Sequence, residues 1–150
     1  MLEGREGFAA HLPGLEEVTL PEGIKEIPPS TFLQCFSLKN VAIPESVQTI
    51  GYQAFSFDVS LDIDFTKLTN LTSIEWGAFS IINANGGNSV GGEDTYTDEI
   101  TDNGGIKNII LPESVKTIGS GAFFGQRNVK KIVIPKSVTS IQGQAFQMIP

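Results

Sequence analysis

Any chemistry in this chain would fall to a short list of side chains. There is one histidine, His11, and one cysteine, Cys35, among 150 residues. A hydrolase triad needs a serine or cysteine within hydrogen-bond reach of an imidazole, and nothing in the sequence pattern places one beside His11. Carboxylates are more abundant: Glu93, Asp94, Asp98, Glu99 and Asp102 crowd into residues 80–104, which hold no Lys or Arg. Hard cations want several oxygen ligands, but Gly91-Gly92-Glu93-Asp94 has no second copy, whereas calcium-binding turns of this kind repeat. A solvated loop is the expectation there. Gly86-Gly87 is followed by neither a lysine nor a helix-like pattern, so no phosphate cradle is indicated. Asn70-Leu71-Thr72 fits a glycosylation acceptor, although Leu71 falls on a core position of the pattern described next. The expectation is no catalytic residue, no metal site and no cofactor, and Cys35 reads as core filler.

The element that would position any such group is a repeat. Leu111-Pro112-Glu113-Ser114-Val115-Lys116-Thr117-Ile118-Gly119-Ser120-Gly121-Ala122-Phe123 returns as Ile134 to Phe146 and as Ile43 to Phe55. A further copy runs from Leu20 to Ile27 and closes with Thr31-Phe32. Val115 to Val138 and Ile24 to Val47 are both separated by 23 positions. A weaker middle unit keeps Leu71, Ile74, Ala78 and Phe79, but Thr66 to Asn70 stands in place of Pro-Glu-Ser and about two residues are added.

Within each unit the apolar positions alternate with the period of a strand, so Val18, Val41, Ile63, Ile109 and Ile132 form one inward row. Thr19, Ala42, Asp64, Ile110 and Val133 lie between the inward positions and face solvent. Proline ends each short strand because it cannot donate to a ladder. Val-x-x-Ile-Gly is a second short extended segment, and its Gly51 or Gly119 is expected to permit a turn. Phe32, Phe55, Phe79, Phe123 and Phe146 make a second inward row, each burial worth roughly 1.5–3 kcal/mol. A unit of this length cannot bury its own apolar side, so units must stack as a solenoid.

With these residues in hand the chain resembles the BspA-type leucine-rich repeat, within the leucine-rich repeat superfamily. That unit runs apolar-x-x-Ile-x-Ile-Pro-x-Ser-Val-x-x-Ile-Gly-x-x-Ala-Phe-x-x-Cys, and the match covers most of Leu15 to Phe146. Cys35 sits where the family commonly places a buried cysteine; Asp58, Ile82, Gln126 and Ile149 depart from it. The resemblance implies a mainly β, right-handed leucine-rich repeat solenoid with short turns or 3-10 segments and a parallel sheet on one face. About five repeats of 23–24 residues and one long insertion are expected. It also implies a non-catalytic role in protein recognition or adhesion, cell-surface or secreted, with host or matrix proteins among the partners.

Composition sets further bounds. One domain spanning 1–150 is expected, with 5–14 as the tail of a preceding turn and 80–104 as the glycine- and acid-rich insertion. The 17 carboxylates outnumber the 10 basic residues, which argues against nucleic-acid binding. No run approaches a membrane span, and residues 1–6 lack the basic head and apolar stretch of a secretory signal. The repeat stops just after an Ala-Phe pair, without a polar cap. A fragment of a longer array, or self-association through uncapped ends, is the expectation.

The expected partner face is the outward strand row, Thr19, Ala42, Asp64, Ile110 and Val133, flanked by Lys107, Lys130 and Lys131. Three of its five residues are apolar, and charge along its borders runs from acidic to basic, a pairing suited to a protein partner. A second outward row, including Lys25, Gln48, Thr72, Lys116 and Thr139, reads as a polar ladder and a poorer anchor.

Overall fold

The computed structural model describes residues 9–81, 105–147 and 149, together with the backbone of 89–90 and 93–94. In chain order the elements are β1 (Glu17–Thr19), β2 (Glu26–Ile27), β3 (Asn40–Ala42), β4 (Thr49–Ile50), a 3-10 turn (Phe65–Lys67), β5 (Ser73–Ile74), β6 (Ser89–Val90), β7 (Glu93–Asp94), β8 (Asn108–Ile110), β9 (Thr117–Ile118), β10 (Lys131–Val133) and β11 (Ser140–Ile141). Successive copies of the repeat stack in parallel as rungs of a solenoid. Each regular rung carries one strand on a first strip, a Pro-initiated turn, one strand on a second strip, and an Ala-Phe turn that returns the chain.

The second strip is one continuous five-stranded parallel sheet, ordered β11-β9-β5-β4-β2. The first strip is two separate pairs, β1-β3 and β10-β8. The expected sheet on the first face is therefore interrupted, and the longest sheet lies on the Val-x-x-Ile segments instead.

Turn residues explain the regularity. The Val47, Val115 and Val138 N–H groups donate to the carbonyls of Pro44, Pro112 and Pro135 at 3.2, 3.1 and 3.2 Å. The same closure appears in the irregular rung, where Leu71 N–H donates to the Leu68 carbonyl at 3.0 Å. Leu68-Thr69-Asn70-Leu71 thus repeats the turn without proline, and the added residues form the 3-10 turn in front of it.

The phenylalanine row is a column of rings. Phe32, Phe55, Phe79, Phe123 and Phe146 stack at centroid spacings of 5.3, 5.3, 5.4 and 5.5 Å, with interplanar angles of 15° or less. Such pairs contribute about 0.5–1.5 kcal/mol beyond area burial. Phe65 adds a ring edge-on to Phe79 and Phe123. A backbone ladder runs beside the column: the N–H groups of Phe32, Phe55, Phe79 and Phe123 donate to the carbonyls of Ala54, Ala78, Ala122 and Ala145 at 2.7–2.8 Å.

Two expectations are corrected. The inward row is buried only at Ile63 and Ile109; Val18 and Val41 are half-buried, and Ile132 is 38% exposed. β10 is the outer strand of its pair, and among the described residues no rung covers it. The glycine after Ile does not serve a left-handed turn. A Cβ at Gly51 would lie 2.7 Å from the Ile27 carbonyl oxygen, and one at Gly119 would lie 2.6 Å from the Glu75 carbonyl carbon, so neighbouring rungs approach too closely for a side chain. A left-handed position recurs instead two residues before each Phe of the column, at Ser30, Gln53, Gly77, Gly121 and Gln144.

Within the insertion, β6 and β7 pair antiparallel, Ser89 with Asp94 and Val90 with Glu93. Residues 82–88, 91–92 and 95–104 of the expected loop, the side chains proposed and set aside as calcium ligands, and residues 5–8 of the leading turn lie outside the described residues.

Candidate functional site

The interruption of the first strip is built by one rung. Along the first strip, Lys39 N–H donates to the Glu16 carbonyl at 2.9 Å and Lys130 N–H to the Lys107 carbonyl at 2.8 Å. At the third rung Asp62 N–H reaches the Lys39 carbonyl only at 3.5 Å. On the far side the Lys107 N–H meets the Asp62 side chain, Oδ1, at 3.3 Å. A carboxylate has replaced a carbonyl as the ladder acceptor, and residues 62–64 form no strand.

Asp64 ends this segment as the N-cap of the 3-10 turn. Its Oδ1 accepts from the Thr66 N–H at 3.1 Å and from the Thr66 hydroxyl, satisfying a donor that the turn leaves free. Hydrogen bonding from the Thr66 hydroxyl holds the Asp64 carboxyl below the usual carboxylate range, with the nearby Lys67 charge acting the same way. The chain then turns inward: Phe65, at the position that Ile43 and Leu111 hold in other rungs, is 1% exposed beneath the surface.

A recess of about 710 Å³ opens where the strands part. Ala42, Asp62, Asp64, Lys67, Asn108 and Ile110 are among its lining residues, with Phe65 among the buried ones. Three residues of the expected outward row, Ala42, Asp64 and Ile110, are thus brought to one concavity. Thr19 and Val133 are exposed on the outer strands β1 and β10 and do not line it. Lys107, Lys130 and Lys131 are exposed, and the acidic start of the face is partly neutralised because Lys39 Nζ lies 3.8 Å from Glu16 Oε1. Both partners of that pair are more than half exposed, so it contributes little.

Lys67 and Phe65 were not among the sequence candidates. The signal for them was the absence of proline and the gain of two residues in the third unit, which marked a changed turn without its direction.

The second strip offers less to a partner. Thr72 donates its hydroxyl to the Gln48 carbonyl at 3.0 Å, and Thr117 to Ser73 Oγ at 3.1 Å. These polar groups are engaged between rungs, as a polar ladder should be. Asn70 Nδ2 likewise donates to the Glu45 carbonyl at 2.8 Å, so both polar side chains of Asn70-Leu71-Thr72 are exposed but hydrogen-bonded to the neighbouring rung.

Cys35 is fully buried and its thiol donates to the Ala9 carbonyl at 3.2 Å. Burial pushes the thiol up to about 11, which leaves it a poor nucleophile. Asp58, in the same place one rung on, is 2% exposed, and its Oδ1 accepts the Cys35 N–H at 2.7 Å. Gln126 occupies the equivalent place later and donates Nε2 to the Phe79 carbonyl at 2.7 Å. These three side chains staple backbone between rungs.

The family comparison agrees with this architecture. The profile of the BspA type Leucine rich repeat region matches in six copies over residues 4–86 and 98–149. No curated protein matches the chain. Among solved structures, the chain is similar to a leucine-rich repeat protein from Bacteroides ovatus, with 19% identity and a TM-score of 0.29 over 89% of this chain and 46% of that one. It is also similar to a leucine rich cell surface protein from Faecalibacterium prausnitzii, with 18% identity and a TM-score of 0.32 over 90% of this chain and 52% of that one. The chain thus spans about half the length of each of these proteins. The repeat family points to a role in protein interaction and is generally non-enzymatic. Six matching copies over most of its length, a mainly β solenoid and the stacked Phe column place this chain in the BspA-type leucine-rich repeat family.

Proposed function

We propose that this chain is a non-catalytic recognition module that seats a protein partner on the first strip, centred on the third-rung recess. The observation that supports this reading is the parting of the strands there, which sets apolar Ala42 and Ile110 beside the charged Asp62, Asp64 and Lys67. Apolar area supplies affinity and the charges set orientation. Thr19 and Val133 extend the face outward, and Lys107, Lys130 and Lys131 give its later border a positive field. Adhesion to a host or matrix protein at a cell surface is the setting this reading favours.

The test is selection of displayed peptides on the wild-type chain, followed by affinity measurement on Ile110→Glu and Ala42→Arg. The expected result is a loss of about tenfold or more, with circular dichroism and melting unchanged. Equal affinity for both variants would remove this face as the site.

A second reading, assembly through stacked rungs, is favoured by Ile132 and Ile141 on the outermost described strands and Ile134 just after β10, which are 38, 49 and 39% exposed. Light scattering that grows with concentration would support it, and a constant monomer mass would sink it.

A further inference from the structure

Tyr52 and Trp76 stack outside the recess lining, at the corner between the second strip and the Ala-Phe turn. Their ring centroids are 5.0 Å apart and their planes 16° from parallel. Tyr52 is 42% exposed and Trp76 is half-buried. They belong to a row that the backbone ladder defines. The N–H groups of Ser30, Gln53, Gly77 and Gly121 donate in turn to the carbonyls of Tyr52, Trp76, Ser120 and Gly143 at 2.8, 3.0, 3.0 and 3.0 Å. Two large rings are therefore followed, on the next rungs, by a serine and a glycine. Since the rung accepts Ser and Gly at this position, the solenoid does not require aromatic rings there.

The step between large and small residues leaves a ledge. One face of Trp76 is covered by Tyr52, and because the rungs stack in order, the opposite face is directed along the row toward the next member, Ser120. Ser120 points its hydroxyl away, donating to the Gly143 carbonyl at 2.7 Å, and its N–H donates to Gln142 Oε1 at 3.2 Å. Gln142 is exposed and carries its amide NH2 beside the ledge. Gln53 flanks the other side, with its Cγ 3.4 Å from where a Cβ on Gly77 would be. The surroundings are an aromatic face with a rim of amides.

That combination selects a ligand with one apolar face and many neutral hydrogen-bonding groups. The π face is the negative side of the ring quadrupole and attracts weakly positive C–H groups, while amides both donate and accept. A pyranose has both features: a C–H face and a hydroxyl edge. Nucleobases also stack, but a polyanion is disfavoured by the net charge of −7. We propose that the Tyr52–Trp76 ledge binds a neutral oligosaccharide, with one pyranose ring stacked on the Trp76 face above Ser120. This site is separate from the recess and does not depend on the reading given to it.

Trp76 is the only tryptophan of the chain, so its emission reports on the ledge directly. The experiment titrates neutral hexasaccharides of glucose, mannose and N-acetylglucosamine into the full chain at millimolar concentration, with affinity checked by calorimetry. At least one should shift Trp76 emission saturably. Ser120→Phe fills the ledge with a third ring and should weaken that binding about tenfold without lowering the melting temperature. Gln142→Leu, which removes the amide and keeps the backbone, should weaken it as well. The proposal is overturned if no sugar gives a saturable shift, if both variants bind as wild type does, or if an arginine-rich peptide shifts the emission while the sugars do not.

Discussion

The two strips of this solenoid meet the same irregular rung and respond differently. On the second strip, Thr72 N–H donates to the Gln48 carbonyl and Lys116 N–H to the Thr72 carbonyl, both at 2.8 Å. The ladder crosses the third rung, and the long insertion after it, without a gap. On the first strip the same rung forms no strand, and a carboxylate takes the place of a carbonyl at Lys107. The contrast separates what holds the array together from what is free to vary. Register is carried by the second strip and by the Phe column, whose 5.4 Å spacing between Phe79 and Phe123 is unaffected by the insertion between them in sequence. The first strip can then be reshaped locally without loss of stacking, and a repeat protein acquires a distinctive surface where its structural ladder is least needed.

The contrast is broken most forcefully at the column. Phe79→Ala removes a ring that touches Phe55, Phe65 and Phe123, and the expected cost is about 3–5 kcal/mol in urea unfolding. A loss below about 1 kcal/mol would show that the column does not carry register. Close approach on the second strip comes next. Gly119→Ala drives a Cβ into the backbone of Glu75 and Trp76 and should cost about 1–3 kcal/mol, whereas Gly143→Ala meets nothing within 4 Å and should be nearly neutral. Equal melting temperatures for the two variants would contradict the close-approach account.

A smaller effect is pH-dependent. Burial holds the Asp58 carboxyl well above its ordinary value of 3.8, while the Cys35 N–H opposes that shift. The folded state favours the protonated acid, so this group's contribution is fully present below the ordinary value and is lost as pH rises through the folded one. Asp58→Asn should therefore gain in melting temperature on wild type between pH 4 and pH 7. A difference that does not change with pH would contradict the assignment. The smallest effect belongs to the exposed pair on the first strip: Glu16→Gln should change stability by less than about 0.5 kcal/mol.

Much of the scaffold was legible because period and residue type coincide. Val47, Ile50, Ala54 and Phe55 recur with their neighbours at fixed offsets, and all four are fully buried or nearly so. The site was legible only in part. Ala42, Asp64 and Ile110 could be assigned to one outward row, but the recess that unites them depends on Phe65 turning inward and on Asp64 capping Thr66. Neither follows from a missing proline. Gly119 was misread because a glycine needed for close approach and one needed for a left-handed backbone look alike in a sequence; only the stacked rung distinguishes them. The Tyr52–Trp76 pair was missed for the opposite reason, since its row changes residue type at every rung and shows no repeat.

The central claim is that the first strip at the third rung is where a protein partner sits. Hydrogen exchange of the chain alone and bound to a selected displayed peptide tests it directly. The account predicts new protection at Ala42, Asp64 to Lys67 and Ile110, with Thr49–Ile50, Ser73–Ile74 and Thr117–Ile118 unchanged. Protection confined to the second strip, with the recess exchanging as before, would contradict it.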